Sequence, residues 1–284
     1  MKKFNKPILA FLTFIFVQLI VSFIIGIIMV ASNPEIMKSA MAGDNSSIQS
    51  ALSNSSMLSL SLIFSSLLTI LVIYSMKMIR FREAFSVKGF NIRVVLIAFL
   101  AACTGIYATD ILSEVLNLPN IIAEQISNMS GTIPGLLAIC IVGPICEEIV
   151  FRESITGWLL RKSVKPWIAI AFSSLLFGIV HFNPAQIPFA FLVGLILGYI
   201  YYRTGSLVIV SLLHIANNSM SCWLGNTMGN DFSLIEQIGS TSAVISCIVC
   251  ALLSIAFLRT LNHITPTPQF SEEISSEQEV ITEK

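Results

Sequence analysis

Long apolar runs separated by short polar stretches make up most of this chain. Eight can be marked: Ile8–Ala31, Met57–Met76, Val94–Leu112, Ile133–Leu160, Trp167–Phe182, Ile187–Tyr202, Leu207–Leu224 and Leu234–Leu258. Most are near or above the roughly 20 residues that a helix needs to cross a bilayer. The pattern predicts an all-α integral membrane protein with about eight transmembrane helices. The first run follows Lys2, Lys3 and Lys6, lacks a clear cleavage site and reads as a retained membrane helix. Segment four is long enough for its second half to leave the bilayer.

Composition agrees: 55% of the residues are hydrophobic and 11% charged, against about 25% charged in soluble domains. The net charge is zero, but the bases are unevenly placed. With the N-terminus inside, Lys77, Arg80, Arg82, Lys88, Arg93, Arg161, Lys162, Lys165, Arg203, Arg259 and Lys284 all fall on the inner side. Lys38 is left outside. Bases mark cytoplasmic loops, so both termini are expected in the cytoplasm of a multi-pass plasma-membrane protein. Residues 261–284 are polar and acidic and read as a disordered cytoplasmic tail. The six cysteines lie in apolar runs or at their edges, and they predict buried thiols rather than a disulfide framework. Nothing in the pattern points to nucleic acid.

Few polar groups lie at membrane depth, where ionisable residues are costly and usually functional. They are Asp110, Glu147, Glu148, Arg152, His181, His214, Asn217 and Asn218. Arg152 stands four residues after Glu148, on the same helical face and in the favourable order for an ion pair. Glu148–Arg152 therefore reads as a structural pair. Glu147 points about 100° away, has no such partner and becomes the acid–base candidate. Pro144 beside Gly143 predicts a kink that opens space there. The plainer alternative is one structural cluster of all three charges at the membrane interface. Counting about 1.5 Å per residue from the turn near Ser163 places Glu147 and His181 at one height. His214 joins them if the hairpin projects roughly 10 Å into the cytoplasm, which puts the site in the membrane toward the cytoplasmic side.

A carboxylate, two imidazoles and an amide suit water-mediated acyl hydrolysis. Glu147, helped by His181, would deprotonate water; His214 and Asn218 would donate to the oxyanion. A divalent metal such as zinc on Glu147, His181 and His214 is the other possibility, although the His-Glu-x-x-His helix is absent and asparagine is a poor zinc ligand.

Glu147-Glu148-x-x-x-Arg152, Phe177-x-x-x-His181 and His214-x-x-x-Asn218, on successive apolar helices, resemble the CPBP intramembrane proteases. These are the relatives of the type II CAAX prenyl endopeptidase, also known as the Abi or bacteriocin self-immunity family. The resemblance covers roughly Leu96–Leu258. It implies an eight-helix fold, cleavage of membrane-associated peptides near the cytoplasmic side, and catalytic roles for Glu147, His181, His214 and Asn218. Family members are often called metalloproteases, and a metal-free, glutamate-activated water has also been argued for them. The expected organisation is two N-terminal helices over residues 1–93, with a polar outer loop and a basic inner one. A CAAX-protease-like catalytic bundle follows over residues 94–260, and then the tail. Two rivals are a non-catalytic membrane partner, in bacteriocin immunity or sensor-kinase regulation, and a proton-coupled transporter.

Overall fold

A computed structural model describes residues 2–43, 54–80, 84–85, 91–229, 232–266 and 270. The described residues form helices and their connections: α1 (Asn5–Ser32), α2 (Pro34–Met41), α3 (Ser55–Ser75), α4 (Ile92–Leu116), α5 (Ala123–Ser130), α6 (Ile133–Arg161), α7 (Pro166–Ile179), α8 (Gln186–Thr204), α9 (Leu207–Met228), α10 (Leu234–Ile238) and α11 (Ser240–Ile264). Seven of these are long and apolar enough to cross a membrane. The chain is an all-α, multi-pass integral membrane protein. Its core is a bundle in which α4 packs against α11 and α8, α7 against α8, and α1 against α3. Phe23 and Leu252 are exposed on α1 and α11, as suits helices that face lipid.

Local chemistry explains the breaks. Asn54, Asn91, Thr132 and Ser206 accept backbone N–H groups in the first turns of α3, α4, α6 and α9, satisfying donors a helix start leaves free. Pro166 opens α7, where its missing N–H costs nothing. Gly205 ends α8 in the left-handed conformation, with φ 63°.

Three boundaries differ from the sequence expectation. The fifth apolar segment yields α7, a helix of only 14 residues. That is about 21 Å long at 1.5 Å per residue, short of the ~30 Å hydrocarbon core. The eighth segment is divided at Gly239, whose φ of 78° stops α10 and starts α11. Helix α11 then continues to Ile264, four residues into the stretch read as tail. Residues 271–284 of that tail lie outside the described residues, as do residues 44–53 of the first outer loop and 86–90 of the basic one.

Helix α6 is irregular in a particular way. Leu137–Val142 and Ile149–Gly157 are π-helical, with a single α-helical stretch, Gly143–Glu148, between them. Sequence reasoning expects a kink at Pro144; the helix instead widens on both sides of it. In the i→i+5 pattern, Gly143 N–H bonds to Ala138 O. The next carbonyl, Ile139 O, would need the N–H of residue 144, which is proline and has none. A Cβ at position 143 would stand 2.9 Å from Ala138 O, so glycine permits the close turn. π-Helical turns are rare and concentrate at functional sites.

Candidate active site

The two glutamates sit at the end of the α-helical stretch of α6, between its wide turns. Glu148 is fully buried, and its Oε1 accepts a hydrogen bond from Arg152 Nη2 at 3.2 Å. Arg152 Nε approaches Glu148 Oε2 at 2.9 Å. That approach is too poorly aligned for a hydrogen bond, so its contribution is Coulombic. Arg152 is equally buried. Its Nη1 has no hydrogen-bond partner; the guanidinium instead lies over the Phe177 ring, 4.9 Å from the centroid, a cation–π contact that is stronger where water is excluded.

The ion pair expected from the spacing is therefore present, but it is not self-contained. His214 Nδ1 is 2.9 Å from Glu148 Oε1, a link between residues 66 positions apart that helical spacing could not reveal. A carboxylate accepts, so Nδ1 carries the proton, and the ring turns its Nε2 toward Glu147. Glu147 Oε2 stands 3.6 Å from that Nε2, longer than a hydrogen bond. The Glu147 side chain keeps 19% of its surface exposed, while Glu148 keeps none.

His181 lies just beyond the last residue of α7, in a short turn. Its Nδ1 donates to Phe177 O at 2.7 Å; the carbonyl can only accept, so the neutral ring leaves Nε2 as the free acceptor. Phe177 separates the two histidines, edge-on to both, with ring centroids 5.0 Å from His181 and 5.7 Å from His214. The turn is held by Asn183, which is fully buried. Asn183 Nδ2 donates to Asn120 Oδ1 at 2.9 Å, and its Oδ1 accepts from Ile121 N at 3.1 Å. Phe182 takes a left-handed φ of 48°. Irregular backbone at membrane depth is tolerated where protein or a cavity satisfies it.

Asn218, on α9 one turn beyond His214, donates from Nδ2 to Ile139 O at 3.0 Å, the carbonyl that Pro144 leaves without an intrahelical donor. Asn217 Nδ2 in turn donates to Asn218 Oδ1 at 3.2 Å. The amide is thus oriented, and its second N–H is free to point elsewhere.

Glu147, His181, His214 and Asn218 all line one cavity of about 260 Å³, together with Phe177, Asn217, Ser221, Asn120 and Ser127. Glu148 and Arg152 lie behind its wall. Among the described residues no three His, Cys, Asp or Glu side chains are gathered closely enough to hold a metal ion. Sequence reasoning missed the Glu148–His214 bond, the Asn183–Asn120 brace and the Ile139 carbonyl. Only the last had a signal, namely a proline inside an apolar helix.

A family model described as "Type II CAAX prenyl endopeptidase Rce1-like" matches residues 129–220, a stretch holding Glu147, Glu148, Arg152, His181, Asn183, His214, Asn217 and Asn218. A protein of Bacillus subtilis (strain 168) named "Putative membrane peptidase YdiL" is 35% identical over 79 residues, which is 28% of this chain and 32% of that protein. The chain is thus aligned with about a third of the relative's length. No solved structure matches it. Residues 129–220 are thus similar to the type II CAAX prenyl endopeptidase family.

Proposed function

We propose that the protein is an intramembrane endopeptidase of a bacterial plasma membrane, hydrolysing peptide bonds of membrane-associated polypeptides with a water activated by Glu147. The observation that carries this reading is the pairing of Glu147 Oε2 with His214 Nε2 across 3.6 Å at the cavity wall, with the far side of the imidazole held by buried Glu148. A carboxylate left unengaged by a direct hydrogen bond, facing a polarised ring, can hold a water and take its proton.

In this mechanism water attacks the scissile carbonyl as Glu147 Oε2 accepts the proton. His181 Nε2 accepts the water's second hydrogen bond and orients it. The oxyanion receives His214 Nε2–H and the second N–H of Asn218, both preset by their other hydrogen bonds, which is what makes such donors effective. Glu147 then delivers the proton to the leaving amine as the C–N bond breaks. Glu148 and Arg152 touch no substrate. They fix the His214 ring, as outer partners do in other histidine sites.

The test is direct. The full chain, reconstituted in proteoliposomes, is given a fluorogenic peptide anchored in the same bilayer. Cleavage that disappears in Glu147→Gln, with the variant still folded by thermal unfolding, supports the reading. Undiminished cleavage by Glu147→Gln rules it out.

A further inference from the structure

The depth of a site and the side from which it is reached are separate questions, and the two ends of this bundle answer the second. At one end lie the connections after α3, α6, α8 and α11, together with the N-terminus. Apart from Arg152 and Lys38, every Lys and Arg among the described residues is there. At the other end lie residues 33–43, 113–132, 225–229 and 232–239, with four acidic residues (Glu35, Glu114, Glu124 and Glu236) and Lys38. The bias of bases toward the cytoplasm makes the second end the non-cytoplasmic one.

The cavity leads to that second end. Helix α5 lies there and turns one face into it, Ala123, Ile126, Ser127 and Ser130, at helical spacing. Exposed Asn120 and half-buried Gly225 complete the mouth. Toward the base-rich end the way is closed. Every residue of the π-helical stretch Ile149–Gly157 is buried. Below it Glu153 is tied to Tyr201 Oη, Arg161 Nη1 and the backbone N–H of Arg80. Met78, Ile79, Ala84 and Phe270 are buried around this plug.

We infer that the site is open to the non-cytoplasmic side, and that its substrate is the segment of a membrane-anchored polypeptide emerging on that side. From Gly225 down α9 to His214 is eleven residues, or about 16 Å. An extended strand at about 3.3 Å per residue covers that with about five residues, so the scissile bond lies about that far inside the mouth. Asn120, Ser127, Gln186 and Ser221 line the path with amides and hydroxyls, which suit the N–H and C=O groups of an extended backbone. The substrate rests on the hydrolytic reading above; the side of access does not.

Single cysteines test the side first. Glu124→Cys, Ser127→Cys and Lys162→Cys are made in the full chain, with the wild type as the blank for its native thiols, and treated with a membrane-impermeant maleimide on intact spheroplasts and after permeabilisation. Glu124→Cys and Ser127→Cys should label in intact spheroplasts about tenfold above the blank, and Lys162→Cys only after permeabilisation. Labelling of Lys162→Cys in intact spheroplasts overturns the inference. So does a Ser127→Cys that needs permeabilisation, or that stays unlabelled while Glu124→Cys reacts. None of these outcomes depends on catalysis. A second arm offers right-side-out vesicles a bilayer-anchored peptide displayed outside. Cleavage there, absent in Glu147→Gln, supports the substrate. Its absence with the labelling pattern intact removes the hydrolytic reading and leaves the side of access standing.

Discussion

Glu147 and Glu148 are identical side chains on adjacent residues, yet the fold gives them opposite circumstances. Glu148 points into the bundle, is fully buried and is held by a guanidinium and an imidazole. Glu147 points into a cavity, keeps part of its surface free and meets the same imidazole only across 3.6 Å. A rotation of about 100° along the helix separates a carboxylate held in a buried ion pair from one that faces the cavity. His214 joins the two, with one ring nitrogen for each.

The largest expected effect tests the free member. Glu147→Gln should lower peptide cleavage about a thousandfold or more, the scale of a lost general base, while the melting temperature stays near that of the wild type. Next comes the fixed member. Glu148→Gln leaves Arg152 buried without its counter-charge and should destabilise the protein by about 3–5 kcal/mol, seen as a lower melting temperature along with lost activity. Were the two thermal results exchanged, the division of labour would be inverted. Asn218→Ala removes the proposed oxyanion donor and should reduce kcat by about 10²–10³, with a smaller effect on KM. The gentlest test is Pro144→Ala. The new N–H gives Ile139 O a partner within α6 and releases Asn218 from it. Cleavage should fall on the order of tenfold, the cost of a poorly held group, while stability stays unchanged or rises by about 1 kcal/mol. An unchanged rate would show that the proline does not set the amide's position.

Much of this was legible beforehand, because the signals are local. Apolar run length marks the crossings, the bases mark one end of the bundle, and i,i+4 spacing marks Glu148 with Arg152. What escaped depends on hydrogen-bond register or on distant partners. Hydropathy is blind to whether a helix closes its bonds at i+4 or i+5, so Pro144 suggested a kink where the chain widens. The same blindness hid the vacant Ile139 carbonyl. His181 looked like a residue within a spanning helix; in fact α7 stops at Ile179 and His181 occupies the turn beyond. No spacing rule links Glu148 to a histidine on α9, or Asn183 to Asn120. The side to which the cavity leads follows from which residues are packed shut, and that is known only once the bundle is assembled.

The shortness of α7 has a further consequence for the surrounding lipid. Trp167 near its start and Phe182 just past its end are both exposed, 67% and 65% respectively. The 14-residue helix between them is about 21 Å long at 1.5 Å per residue, against acyl chains that fill ~30 Å. Along this flank the bilayer must pucker inward or its lipids must tilt, at fractions of a kcal/mol per Å. Short acyl chains fit that flank best, so they should collect beside α7. Acyl-chain length then becomes a setting that acts on the turn carrying His181 without touching a single residue of the protein.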